Sequence, residues 1–149
     1  MSTPVIIYTD GACKGNPGPG GWGAVLQWDD QEKQLCGGEE NTTNNRMEMT
    51  AVINSLAVLK HSCRVQVRTD SQYLQRGMTE WLDNWQRRGF RTASGKAVKN
   101  ADLWRQLAEA AKQHHIEWQW VRGHADCEGN NLADKLANQG VQQLLEQTS

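Results

Sequence analysis

The sequence predicts an α/β fold: a five-stranded mixed sheet, three antiparallel strands and then parallel strands, flanked by helices. Two observations predict it. Apolar runs separated by glycine-rich or polar turns occupy the first 40 residues, and helical periods then alternate with short β-rich runs. Alternation of helices and strands favours parallel pairing. We expect residues 1–149 to form a single domain, because this length suits one hydrophobic core.

The first three strands are expected to form an antiparallel meander. Residues 4–9 have the apolar pattern of a buried strand, and residues 22–28 and 33–38 continue the meander. The linking segment GACKGNPGPGGWG is interpreted as a glycine-rich turn, from which Pro17 and Pro19 exclude helix. It lacks the GxxxxGK pattern of nucleotide-binding loops, so a tight turn is favoured over a phosphate site.

A helix should follow, with Asn44 or Asn45 as its cap. Glu48 lies one turn before the apolar face and therefore points toward the sheet. Residues 64–69 alternate as a fourth strand, which a right-handed crossover makes parallel to the first. The apolar face of the helix consists of Met49, Val52, Ile53, Leu56 and Leu59.

Helices are predicted at 71–77, 79–88 and 101–113, before a last strand at 116–121 and a C-terminal helix. Most of the seven tryptophans fall within these elements, so we expect them in the core or on a sheet face. The apolar side of the last helix consists of Leu132, Ala133, Leu136, Ala137, Val141, Leu144 and Leu145.

Composition points to an ordinary globular protein, with 38% hydrophobic and 22% charged residues. No basic-apolar leader begins the chain, and no stretch approaches the ~20 apolar residues of a membrane span. We therefore expect a soluble, cytoplasmic, monomeric protein. Its four cysteines lack CxxC spacing, which favours free thiols. His124 and Cys127 have the spacing of half a zinc site, but no second pair accompanies them, and zinc is disfavoured.

Charge is unevenly distributed along the chain. The net charge is −1, yet residues 84–100 carry +5 without any acidic residue, which leaves −6 elsewhere. Trp85 and Phe90 lie within this basic segment. Cations beside flat apolar faces suit nucleic-acid binding, although arginines that cover aromatics on a solvated helix would produce the same pattern. Both interpretations remain open at this point.

Four acidic residues are expected to converge: Asp10, Glu48, Asp70 and Asp134. Each has an ordinary interpretation alone, as a turn residue, a capping-box residue, a helix cap and a surface residue respectively. Asp10 and Asp70, however, end two neighbouring parallel strands, and ligands bind at that edge of α/β sheets. Clustered carboxylates repel each other unless cations lie between them. The pattern therefore predicts a divalent metal site with oxygen ligands that supports phosphoryl chemistry.

Five ordered strings, YTDGACKGNPGPGGWG, TTNNRMEM, TDSQY, WVRGHA and NNLADKLA, resemble the motifs of type 1 ribonuclease H over nearly the whole chain. The resemblance implies the ribonuclease H-like fold, with the basic segment as its substrate-binding handle loop. It also implies an endonuclease that hydrolyses the RNA strand of RNA/DNA hybrids by two-metal-ion catalysis, leaving 5′-phosphate and 3′-hydroxyl ends.

The same resemblance assigns residues to roles. Asp10, Glu48, Asp70 and Asp134 match the acidic residues that bind two Mg²⁺ ions, with Mn²⁺ as a substitute. His124 matches a catalytic loop histidine that moves protons. Residues that match or adjoin substrate contacts are Cys13, Asn16, Thr43, Asn44, Asn45, Gln72, Trp81, Trp85, Arg87, Arg88, Phe90, Arg91 and Lys99. Amides among them can read 2′-hydroxyls in the minor groove.

Departures from the family pattern lie in two places. Many bacterial relatives have an acidic residue at Asn131 and a histidine-proline pair at 127–128, so loop dynamics or metal preference are expected to differ. The handle has Gln86 and Phe90 where lysine and tryptophan are common, which predicts weaker binding. Integrases, transposases and resolvases share such an acidic cluster but lack the handle and the TTNNRMEM asparagines. A non-catalytic hybrid-binding module is disfavoured because no acidic residue is missing.

Overall fold

The strands are β1 (Val5–Cys13), β2 (Gly18–Trp28), β3 (Gln31–Thr42), β4 (Arg64–Thr69) and β5 (His115–Trp120). This computed structural model describes residues 3–15, 17–92, 94–121 and 128–148. The strands form one sheet in the order β3-β2-β1-β4-β5. The first three pair antiparallel, whereas β1 is parallel to β4 and β4 to β5. The predicted mixed sheet and its parallel crossover are confirmed.

Helices cover both faces of this sheet. They are α1 (Asn44–Ala57), α2 (Gln72–Arg76), a π-helical turn (Gly77–Trp81), α3 (Leu82–Arg87), α4 (Ala101–Lys112) and α5 (Glu128–Thr148). Leu26, Val52 and Trp104 belong to the larger core, which the α1 and α4 side of the sheet buries. Tyr8, Ala133 and Leu136 form a smaller core under α5. Among the described residues, no helix is long and apolar enough to cross a membrane.

The glycine-rich turn is shorter than predicted, because β1 and β2 extend into it and pair as far as Cys13 and Gly20. Cys13 lies opposite Gly20, Ala12 opposite Gly21 and Asp10 opposite Gly23. The backbone of α5 explains two of these glycines, because a Cβ at Gly21 would clash with the carbonyl oxygen of Ala137 and one at Gly23 with that of Ala133. Asp10 therefore lies inside β1 and not at its end, which corrects the predicted position.

Two helix predictions also need correction. Thr43, and not Asn44 or Asn45, caps α1, since its side chain accepts a hydrogen bond from the Arg46 N–H at 3.2 Å. The helix predicted at 79–88 begins instead as a π-helical turn that ends at Trp81. This wider turn places the Trp81 ring 6.0 Å from that of Tyr73, within the cluster that covers Trp104.

Candidate active site

Three carboxylates from three elements meet at the edge of the sheet. Asp10 extends from β1, Asp70 follows the last residue of β4, and Glu48 lies in the second turn of α1. One oxygen from each lies within 4.8 Å of the others. Asp10 is 8% exposed and Glu48 is 3% exposed, so two of the three carboxylates are removed from water. The predicted convergence of these three residues is observed.

Close packing of α1 on β1 brings Glu48 to this place. Thr43 begins the helix, and Gly11 allows the strand to pass directly beneath its first turn. A Cβ at Gly11 would lie 2.9 Å from the Glu48 backbone nitrogen, so a larger residue there would push the helix outward. The Gly11 N–H donates to Oδ1 of Asp10 at 2.9 Å and orients that carboxylate.

The cluster is electrostatically unfavourable when it is fully ionised. Burial raises the pKa of Asp10 from 3.8 to about 7; the charge of Asp70 and a hydrogen bond with Asp134 also raise it, whereas Glu48 and the Gly11 N–H lower it. Burial raises the pKa of Glu48 well above its usual range, and the charge of Asp10 adds to this effect. A bound cation would favour the ionised forms of both groups.

The donor set suits a hard divalent cation. All three groups supply carboxylate oxygens, and Oε2 of Glu48 is buried without a hydrogen-bond partner. A buried oxygen of this kind is costly unless a ligand satisfies it. Few carboxylates, with room for water and phosphate oxygens, match the coordination that Mg²⁺ prefers.

Asp134 adjoins this group but differs from its members. It is exposed on α5, and its carboxyl contacts Asp10, whose pKa it raises through a side-chain hydrogen bond. The Asn138 amide donates to the backbone oxygen of Asp134 at 2.9 Å. Asp134 is not among the three residues whose oxygens lie within 4.8 Å of one another. It is therefore positioned at the rim of the cluster.

Several predicted substrate residues line one cleft beside the cluster. Lys99 from the basic segment lies there, although it is distant in sequence from the other lining residues. The Cys13 Sγ–H lies 3.3 Å from the Thr42 carbonyl oxygen, which ties the end of β1 to the end of β3. The cleft of about 360 Å³ is lined by Cys13, Gly15, Thr43, Asn44, Asn45 and Lys99.

Gln72 lies apart from this cleft, exposed at the start of α2 and two residues beyond Asp70. The predicted His124 and Asn16, and also Cys127, lie outside the described residues. Their places relative to the cluster stay predictions.

Aromatic side chains in and beside the basic segment pack against the core beneath it. Trp81 and Trp85 are half-buried, and the Trp85 ring lies 5.3 Å from that of Trp104. Phe90 is half-buried with the Arg105 guanidinium 5.1 Å above its ring. The aromatics therefore support the segment through packing, and its outward groups are cations.

The cations of this segment remain exposed. Arg87 pairs with Asp83 at 3.2 Å, and Arg91 donates to the Gly95 carbonyl at 3.0 Å. Arg88 and Lys99 are likewise exposed. Their exposure is consistent with both interpretations of the charge pattern, a phosphate-binding surface and a solvated helix.

A polar network that sequence reasoning missed joins this segment to α1. Arg46 forms two hydrogen bonds to Asp102, at 2.7 and 3.0 Å, and a third to Asn100 at 3.2 Å. Asn100 and Trp104 both donate to the Tyr73 hydroxyl at 3.2 Å. No local pattern indicates these contacts, since residue type alone does not pair an arginine with a distant aspartate.

Comparison with known proteins gives a consistent result. A family model described as RNase H matches residues 2–142. Ribonuclease HI of Pseudomonas aeruginosa is 60% identical over 140 residues, covering 94% of this chain and 95% of the relative. Ribonuclease H of Cupriavidus pinatubonensis is 63% identical over 140 residues, covering 94% of this chain and 97% of the relative.

Solved structures agree with the fold. The crystal structure of LC9-RNase H1, a type 1 RNase H with the type 2 active-site motif, is similar with a TM-score of 0.85 and 34% identity, covering 96% of this chain and 74% of that one. LC11-RNase H1 in complex with an RNA/DNA hybrid has a TM-score of 0.68 and 26% identity, covering 95% of this chain and 99% of that one.

Proposed function

Because the chain belongs to the ribonuclease H family, we propose that Asp10, Glu48, Asp70 and Asp134 bind the divalent cations for its reaction. The chain is an endonuclease that degrades the RNA strand of RNA/DNA hybrids. The observation that carries the site assignment is the set of three carboxylate oxygens within 4.8 Å, together with the unpartnered buried Oε2 of Glu48. The products are proposed to carry 5′-phosphate and 3′-hydroxyl ends.

Magnesium is proposed as the cofactor, as two ions, with Mn²⁺ as a substitute. When bound, such ions activate a water and stabilise the leaving oxygen of an in-line displacement. The chain's own contribution is rigidity: α1, β1 and β4 hold the carboxylates, and the Gly11 N–H orients Asp10. His124 is proposed to transfer a proton near neutral pH.

Substrate selection is proposed to depend on the cleft that Cys13, Asn44 and Asn45 line. With Asn16 and Gln72, these groups would read 2′-hydroxyls and base edges across the minor groove without sequence preference. Thr43 would contact a phosphate of the DNA strand. Affinity that is independent of sequence would come from Trp81, Trp85 and Phe90 and from the cations of the basic segment, which are Arg87, Arg88, Arg91 and Lys99.

We further propose that residues 1–149 act as one domain and as a monomer in the cytoplasm. The single sheet, and a family match that extends over residues 2–142, support the single domain. The cluster of Asp10, Glu48 and Asp70 forms within a single copy of the chain, so a monomer would be sufficient for the site. The ordinary composition supports the location.

The function is tested by incubating the protein with labelled RNA/DNA, RNA/RNA, DNA/DNA and single-stranded RNA. We expect cleavage of the RNA strand of the hybrid alone, in the presence of Mg²⁺ or Mn²⁺. Gel analysis should show 5′-phosphate ends. Comparable cleavage of duplex DNA would favour a transposase-like reaction, and full activity in excess EDTA would exclude the metal mechanism.

Removing three cations from the basic segment should weaken binding and leave the chemical step intact. In the triple variant Arg87→Ala, Arg88→Ala and Arg91→Ala, each lost phosphate contact should lower the slope of log K against log salt by about 0.7 to 0.9. KM should therefore rise and become less salt-sensitive at unchanged kcat. Replacing three exposed cations at the opposite end of the sheet, Lys33, Lys60 and Arg64, is the matched control. Equal salt slopes in both triple variants would contradict the role of the segment.

A further inference from the structure

A second cleft lies beside Asp70, between α2, the π-helical turn and the end of β5. Trp120 forms one wall and is 37% exposed, the one exposed large hydrophobic side chain among the described residues. Its indole Nε1–H donates to the Asp70 carbonyl oxygen at 3.1 Å. The cleft is lined by Gln72, Gln75, Arg76, Thr79, Glu80 and Trp120.

The indole is held firmly despite its exposure. Trp120 pairs with Thr69 in the parallel ladder, and the next residue, Val121, donates its N–H to the Thr69 carbonyl at 2.9 Å. Together with the hydrogen bond to the Asp70 backbone carbonyl, these contacts hold the ring at the end of β4, next to Asp70. An indole held in this way, with its N–H satisfied, presents a flat apolar face for stacking.

The residues of the other walls carry groups that can bind a nucleotide. Arg76 is exposed, and no ion pair to a carboxylate is found for it within the described ranges. Gln72 and Gln75 add amide donors and acceptors. A guanidinium binds a phosphate and an indole stacks on a base or ribose. Glu80 also lines the cleft, and its carboxylate would oppose a phosphate there.

We propose that this Trp120 cleft binds the nucleotide of the RNA strand next to the one whose phosphate is cleaved. The inference rests on the proposed function, in which Asp70 holds a metal at the scissile phosphate. A strand advances about 3.4 Å per nucleotide along the helix axis. Because the indole N–H is hydrogen-bonded to the backbone carbonyl of Asp70, the ring would meet the adjacent nucleotide, with its sugar or base on the indole and its phosphate on Arg76.

The test uses hybrids in which a short run of ribonucleotides within a DNA strand restricts the cleavage site. A single neutral methylphosphonate replaces each phosphate in turn on both sides of that site. In the wild-type protein, the substitution at one position beside the site should raise KM roughly fivefold, which is the effect of losing one exposed ion pair. In Arg76→Gln, the methylphosphonate at that position should not raise KM any further. The effects of the two changes on KM are therefore not additive.

Two further variants test the other walls. Glu80→Gln should lower KM, because it removes a repulsive carboxylate. Trp120→Phe should keep the stacking surface, whereas Trp120→Ala should raise KM and lose sensitivity to an abasic residue at the same nucleotide. Arg64→Gln, at the other end of β4, is the charge-matched control and should show no coupling to any position. Thermal midpoints confirm that each variant is folded.

Different outcomes would contradict the proposed function and the role of the Trp120 cleft. If the wild-type protein fails to cleave hybrids, the proposed function fails. If it cleaves them but no phosphate position couples to Arg76, or if Arg64→Gln couples equally, the Trp120 cleft is not a nucleotide site and the inference is overturned.

Discussion

Asp10→Asn is expected to reduce kcat on hybrids by about two to four orders of magnitude while the folded state becomes more stable above neutral pH. The amide keeps the shape of the side chain and its acceptor for the Gly11 N–H. It loses the charge that opposes a bound cation. Kinetics on a labelled hybrid measure the first effect, and thermal unfolding measures the second.

The stability effect has a defined pH dependence. Because burial raises the folded-state pKa of Asp10 from 3.8 to about 7, the protonated carboxyl is favoured in the folded state. The stabilising contribution is complete below pH 3.8 and is lost as the pH rises through about 7. In EDTA, the thermal midpoint of the wild-type protein should fall relative to that of Asp10→Asn between pH 5 and pH 8.

Metal should reverse this difference. At pH 8, Mg²⁺ should raise the thermal midpoint of the wild-type protein, because a ligand that binds only the folded state stabilises it. The increase should be smaller for Asp10→Asn. Asp30→Asn, an exposed aspartate in the turn between β2 and β3, is the matched control and should respond like the wild type. An equal response of Asp10→Asn to Mg²⁺ would remove Asp10 from the metal site.

The strands could be predicted where local pattern and packing agree. Residues 64–69 were predicted with their observed bounds, because alternation in β4 reflects one buried face. The first three strands were predicted too short, in part because Gly11 in β1 and Gly18, Gly20 and Gly21 in β2 lower strand propensity. Gly21 and Gly23 are required by the close approach of α5, and that contact joins residues more than a hundred positions apart. Such a tertiary requirement is invisible to a local pattern.

The site residues could likewise be predicted only where local pattern and topology determine their positions. The crossover rule brought Asp10 and Asp70 together, and helical spacing pointed Glu48 toward the sheet, as observed. The Trp120 wall could not be predicted, because a tryptophan at the end of a strand looks like any sheet-face residue. Its meaning depends on the hydrogen bond to Asp70, fifty residues earlier in the chain. The predicted topology is sufficient to place the ends of strands, whereas side-chain contacts between distant segments can be seen only in the structure.

Asp134→Asn should separate effects on stability from effects on catalysis most clearly. Asp134 lies on an exposed helix face, so its position alone gives the weakest indication of a role in the site. Its carboxyl contacts Asp10 and raises the pKa of that residue, so the amide should leave the folded state equally or slightly more stable. Turnover should still fall by about two orders of magnitude or more, because a charge facing the proposed cations is lost.

Hybrid affinity should persist in this variant, because the basic segment and the asparagine-lined cleft are untouched. Glu146→Gln is the charge-matched control: it removes an exposed carboxylate about three turns further along α5, so its turnover should stay near that of the wild type. The measurements are thermal midpoint, hybrid affinity and kcat for both variants. Wild-type turnover in Asp134→Asn would leave the metals to Asp10, Glu48 and Asp70 alone, and a loss of hybrid affinity would assign Asp134 to substrate binding instead.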